Sequence, residues 1–160
     1  MIEKVQKIKD NIYLKYFSLK NVPLLFFLGP KIEKLNETEC VVKIPLRTRS
    51  KNHLGSMYFA ALAAGADCAA GFLAMKLIEN SPKKVSLSFK EFHAEFLKRA
   101  EGDTLFSCLQ GEEITAFVGK VLESRERQHM NVHVIATCPE KLGSVPVAKF
   151  SLTLSLKVKS

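Results

Sequence analysis

The chain has 160 residues, 47% of them hydrophobic, with a formal net charge of +8 and a pI near 9.4. This suffices for one α+β domain spanning 1–160 with a real core, and composition argues against a disordered or fibrous chain. Lys and Arg are interleaved with acids, as in Arg125-Glu126-Arg127, and no run of five like charges occurs, so nucleic acid is not expected as a partner.

Val5, Ile8, Ile12, Tyr16 and Leu19 recur at helical spacing between Lys4, Lys7, Lys9 and Lys15, which predicts an amphipathic helix over about residues 2–19. It is expected to pack on the outside of the domain. Its apolar face is less bulky than a membrane-surface helix calls for, so a membrane partner is not expected. The N-terminus has neither the uninterrupted apolar stretch nor the small-residue cleavage site of a secretory signal. Residues 22–30, VPLLFFLGP, are bounded by prolines, too short for an ordinary helix, and suited to plugging a core or lining a pocket. With the first helix they form an N-terminal appendage over 1–30.

Period two sets in from about Leu35 to Arg47, with Cys40, Val42, Ile44 and Leu46 on one side, predicting a strand buried on one face. Pro45 marks its edge or end. After Asn52-His53-Leu54-Gly55-Ser56 comes MYFAALAAGADCAAGFLAM, Met57 to Met75, whose one charge is Asp67. Rich in Ala and free of Pro and β-branched residues, it predicts a helix over about 56–78. Apolar nearly all round, such a helix is buried nearly all round. Its length would also cross a bilayer, but the mid-run acid and the excess of small residues favour a protein interior. Ala60, Ala63, Ala64, Asp67, Ala70, Gly71 and Ala74 share a stripe that lets another backbone come close.

The remainder reads as strands and one short helix. In the stretch 85–96 the buried parity switches near Lys90-Glu91, which predicts a bulge in a long curved strand. A strand over 104–109 follows, then a helix carrying Ile114, Phe117, Val118 and Val121, then strands over 129–138 and 148–158. Two of these strands have polar outer faces, as an antiparallel sheet with one solvated face requires. His129 and His133 lie four residues apart along a strand, about 13 Å, too far to share a metal alone, and no metal or other cofactor is expected. Cys40, Cys68, Cys108 and Cys138 form no CxxC and fall mostly in apolar runs, as reduced thiols of a cytoplasmic protein would.

The order helix, strand, Asn52-x-x-Gly55-Ser56 loop, Ala-rich helix with an acid, and antiparallel strands resembles the hotdog-fold acyl-thioester proteins. It is most similar to the PaaI-like thioesterases and the DUF4442 branch. The residues that carry the resemblance are Arg47 to Ser56, Ala60 to Ala69 and Phe96-Leu97-Lys98-Arg99-Ala100. The resemblance implies a curved sheet wrapped around the long helix. It also implies a homodimer or homotetramer with acyl-CoA or a similar thioester held between subunits.

On that reading Asp67 is the general base or nucleophile, and Asn52 and Gly55 serve the thioester carbonyl and its water. His53 and Ser56 contact substrate, and Arg47, Arg49, Lys98 and Arg99 meet coenzyme A phosphates. Without substrate, Asn52 and Ser56 would cap the helix and Asp67 would pair with a cation or hydroxyl of a neighbouring subunit. Two departures stand out: the family's His-Gly-Gly is His53-Leu54-Gly55 here, and Asp67 lies about one turn beyond the usual acid position, which holds Leu62 and Ala63. A scaffold that binds acyl chains or acyl carriers without turnover is the alternative.

Overall fold

The computed structural model describes residues 2–159. Its elements are α1 (Ile2–Asn21), α2 (Pro23–Leu28), β1 (Lys31–Leu35), β2 (Cys40–Ile44), α3 (Phe59–Glu79), β3 (Val85–Phe96), β4 (Thr104–Cys108), α4 (Gly111–Ser124), β5 (Gln128–Thr137), α5 (Pro139–Leu142) and β6 (Pro146–Val158). The six strands form one sheet in the order β1-β2-β4-β5-β6-β3, with every neighbouring pair antiparallel. This is the hotdog arrangement.

The predicted core helix is present, but it begins at Phe59 rather than Ser56. It is long and apolar enough to cross a membrane, yet Ala66, Ala69, Leu73 and Ala74 are fully buried under the sheet. Small residues set how near it lies to the strands. At Gly65 an added Cβ would fall 2.4 Å from the Phe106 ring of β4, and at Gly71 it would lie 3.7 Å from Phe89 of β3. The helix thus rests on β4 by one side while another side looks toward β3. Interior-facing residues of β2, β4, β5 and β6, among them Val42, Phe106, Val134 and Leu154, close the core.

Pairing of β3 with β6 slips between Phe89 and Phe92, which is the expected bulge at Lys90-Glu91. The strand expected over 35–47 is β2, shorter than expected, with Cys40, Val42 and Ile44 buried; it is one arm of a hairpin whose other arm is the unexpected β1, the two pairing through Lys31–Lys43 and Leu35–Cys40. Asn36 turns that corner by accepting hydrogen bonds from the Thr38 and Glu39 N–H groups, each at 2.9 Å. The plug over 22–30 is largely α2, whose Leu25 and Leu28 are buried.

Helix α1 does pack on the outside, but by the face opposite its strongest apolar stripe. Leu14 and Ser18 are buried, and Tyr13 and Phe17 set their rings edge-on to Phe72 of α3 at 6.2 and 5.5 Å. The side-chain amide of Asn11 bonds both backbone groups of Ile32, donating to its carbonyl at 2.8 Å and accepting from its N–H at 2.9 Å. Glu33 of β1 pairs with Lys7 and Lys43, and these cations hold its carboxyl below the usual range. That contribution to stability is present at neutral pH and is lost as pH falls through the lowered value.

Two glycines of α4 give a paired test of these close contacts. At Gly111 an added Cβ would lie 2.0 Å from the Glu37 carbonyl oxygen and 2.5 Å from Thr38 Cα, backbone that cannot swing aside; at Gly119 it would meet nothing within 4 Å. Gly111→Ala is expected to lower stability by about 3 kcal/mol. Gly119→Ala is expected to raise it by up to about 1 kcal/mol through helix propensity. Denaturant melts of the two variants check both signs.

Candidate functional site

The loop ahead of α3 is held by its own polar groups. Ser50 is buried; its hydroxyl donates to the Pro45 carbonyl at 2.7 Å and accepts from the Arg47 N–H at 2.9 Å. Asp103 accepts from the Leu46 N–H at 2.9 Å, fixing the exit from β2. Asn52 then organises the turn: its side-chain oxygen accepts from the N–H groups of Leu54 at 2.9 Å and Ser56 at 3.2 Å, and its NH2 reaches Ser56 Oγ at 3.1 Å. Gly55 sits at φ +77°, the left-handed region open to glycine, and its N–H donates to the Asn52 carbonyl at 3.1 Å.

These bonds correct one expectation. Neither Asn52 nor Ser56 caps the helix, because α3 starts at Phe59 with Tyr58 in the cap position and no side-chain cap bond. The Gly55 N–H is taken up within the turn itself. The free donors lie a few residues on. Tyr58 donates to the Ser50 carbonyl and its own carbonyl receives the N–H groups of Ala61 and Leu62, which leaves Phe59 and Ala60 N–H without a protein partner among the described residues. They point from the positive end of a helix of 21 residues.

The Met57 N–H donates to the Ala100 carbonyl at 2.8 Å, tying this loop to the segment that leaves β3. Between them lies an open cleft of about 600 Å³ whose lining includes Asn52, His53, Ser56, Lys98 and Arg99. It also takes in Tyr58 and Phe59, which are not among the expected site residues, and Phe96 of the Phe96–Ala100 motif, with Phe59 packed edge-on to Phe96 at 6.3 Å. An aromatic pair placed right after a Gly-Ser turn was the available signal. Arg47 and Arg49 are not in this cleft. They line a separate depression beside α1 and α2, where the Arg49 guanidinium lies 5.6 Å from the centre of the Phe27 ring.

Asp67 is also outside the cleft. Eight helical residues separate it from Phe59, about 12 Å along the axis. On the small-residue stripe, Ala60, Ala63 and Ala64 are half-buried and Asp67 is exposed, whereas Ala70, Gly71 and Ala74 are buried. Gly71, one turn further along the same stripe, faces Phe89, and Phe59 meets Phe96; the stripe therefore runs beside β3. Asp67 has no hydrogen-bond or ion-pair partner among the described residues. Its carboxyl is open to solvent on one side but crowded by protein on the others, and this loss of water pushes its pKa above the ordinary carboxylate value. Strand β3 is the free edge of the sheet, 12 residues long, with Phe92 and Phe96 exposed.

Among the described residues no group of three His, Cys, Asp or Glu side chains comes together as a metal site would require. All four cysteines are free and buried, with burial pushing the thiols of Cys40, Cys68 and Cys108 upward.

The sheet order and the helix enclosed by it define a hotdog-fold protein. Solved structures share the fold along nearly the whole chain. OLEI01261 from Chlorobaculum tepidum TLS is 16% identical with a TM-score of 0.78, covering 96% of this chain and 97% of that one. A thioesterase family protein from Silicibacter pomeroyi is 18% identical, TM-score 0.69, with 97% and 98% covered. Thioesterase HI1161 from Haemophilus influenzae is 13% identical, TM-score 0.66, with 89% and 88% covered. At such identities the likeness concerns the fold. Comparison with the curated proteins gave no match. The model of the domain of unknown function DUF4442 matches residues 12–154, and the chain belongs to that family.

The raised pKa of Asp67 fixes the sign of one stability test. A carboxyl whose folded pKa exceeds its unfolded value opposes folding increasingly as pH rises from the unfolded value to the folded one, and fully above it. Asp67→Asn is therefore expected to melt higher than wild type at neutral pH and to lose that advantage in acid below the ordinary carboxylate pKa. Thermal melts of both proteins across that range check it.

Proposed function

We propose that this protein is an acyl-CoA thioesterase that works as a homodimer, with each site built from two subunits. The observation that carries the reading is Asp67: a partly desolvated, unpartnered carboxylate on a small-residue stripe beside the unpaired edge strand β3. A second copy paired along β3 would bring its own loop and helix start against this stripe. The helix puts about 12 Å between Phe59 and Asp67, which is why one subunit cannot bring both to one carbonyl.

In that arrangement the Asp67 carboxylate takes a proton from water as the water oxygen bonds to the thioester carbon. The carbonyl oxygen, now negative, is held by the Phe59 and Ala60 N–H groups of the other subunit at the positive helix end. Collapse breaks the C–S bond, the thiolate recovers the proton from Asp67, and a carboxylic acid and free thiol leave. No cofactor is called on. Lys98 and Arg99 at the cleft rim are placed for the phosphates of coenzyme A, and Tyr58, Phe59 and Phe96 for an apolar or aromatic acyl group. Arg47 and Arg49, in their separate depression, have no part in this site. A cytoplasmic setting suits the four reduced cysteines.

A second reading, acyl-thioester binding without turnover, is favoured by the Asn52 NH2 and the Gly55 N–H, both of which are consumed within the turn. Thiol release from acyl-CoAs of several chain lengths separates the two. Turnover is expected to rise with pH through one ionisation above the ordinary carboxylate range, and Asp67→Asn is expected to lower it by about a hundredfold or more and erase that rise. Turnover untouched by Asp67→Asn overturns the assigned base; acyl-CoA binding with no turnover on any substrate establishes the second reading.

A further inference from the structure

Helix α1 turns its most apolar stripe to solvent. At about 100° per residue, Val5, Ile8, Tyr16 and Leu19 all lie within about 40° of Ile12 around the axis. They are between 47% and 64% exposed, although the face opposite is docked through Asn11, Leu14, Phe17 and Ser18. Leaving five large apolar side chains in water is unfavourable unless something covers them.

The residues that flank the stripe say what. Lys4 and Lys15 border one side and Lys9 and Lys20 the other, each within about 80° of Ile12. The acids of α1, Glu3 and Asp10, lie on the inward half and line depressions shared with β1. The outward half therefore carries four cations and no anion. Directly after α1, Leu24 and Phe27 of α2 are exposed too. Beside them, Lys15, Lys31, Arg47 and Arg49 line a depression of about 470 Å³ that holds no acidic residue.

We propose that α1 and α2 form a docking surface for an anionic phospholipid bilayer. The apolar stripe sinks into the boundary between headgroups and acyl chains, the flanking lysines extend along it to lipid phosphates, and the Arg47-Arg49 depression receives a headgroup. The proposal departs from the expectation that no membrane partner is met, because α1 docks by its other face and leaves the whole stripe exposed. A second copy docking through the same stripe fits less well, because a two-fold contact would set lysine rows against lysine rows.

The test is sedimentation of the full chain with vesicles of phosphatidylcholine alone or mixed with phosphatidylglycerol. Binding is expected to the mixed vesicles, to weaken steeply with salt, and to fall about fivefold for each of Lys4, Lys9 and Lys15 changed to Gln. The double variant Ile8→Glu/Ile12→Glu, whose positions are exposed and whose melt should match wild type, is expected to abolish it. Failure to bind mixed vesicles at low salt overturns the proposal, as does binding unchanged in the double variant. A mass in gel filtration that halves on Ile12→Glu assigns the stripe to a second copy instead. Stabilisation by inorganic phosphate with no vesicle binding assigns the depression to a soluble anion, and either result overturns the proposal.

Discussion

A helix with no polar face can exist in water only if it is enclosed, and the architecture follows from enclosing α3. The strands curve over it, with a bulge letting β3 keep both of its halves against the same core. Close enclosure demands small side chains, and the contact between Gly65 and the Phe106 ring shows how little room is left. The same smallness has a second effect at the N-terminal half of the helix. There, Ala60, Ala63 and Ala64 leave the helix backbone accessible and Asp67 stands on the accessible side.

Rigidity at the start of α3 comes from an unusual source. The loop spends its side-chain oxygens and amides on itself, through Ser50, Asn52 and Ser56, so that the helix begins uncapped. An uncapped, fixed helix start is a pair of aimed donors. A Ser or Asn in the cap position would have quenched them.

Most of the sheet and the core helix could be read from period alone, because β2 and β5 bury one parity strictly, as in Val132-Val134-Ala136, and β6 departs from it only at Val147 and Ser155. Strand β1 could not: Lys31-Ile-Glu-Lys-Leu35 buries one residue, Ile32, and is held by pairing with β2 and by Asn11. The orientation of α1 was illegible for a related reason. Periodicity finds the more apolar face, whereas the docked face was chosen by specific bonds, the Asn11 amide on Ile32 and the Lys7–Glu33 pair. At the site, the Asn-x-x-Gly-Ser pattern marked the right loop but not its working groups, since which N–H groups stay free depends on where the helix begins. Arg47 and Arg49 are near that loop in sequence yet face another depression, a separation that spacing does not encode.

The amide of Asn11 has one further consequence. By bonding both backbone groups of Ile32 it takes the place of a neighbouring strand on the outer side of β1, with α1 lying over that edge. The sheet is thus shut at one margin and open only along β3. Edge-to-edge addition of a second copy along β3 would consume the open margin of each and leave none over for a third. One side chain on a peripheral helix thereby takes away the margin that a longer ribbon would need.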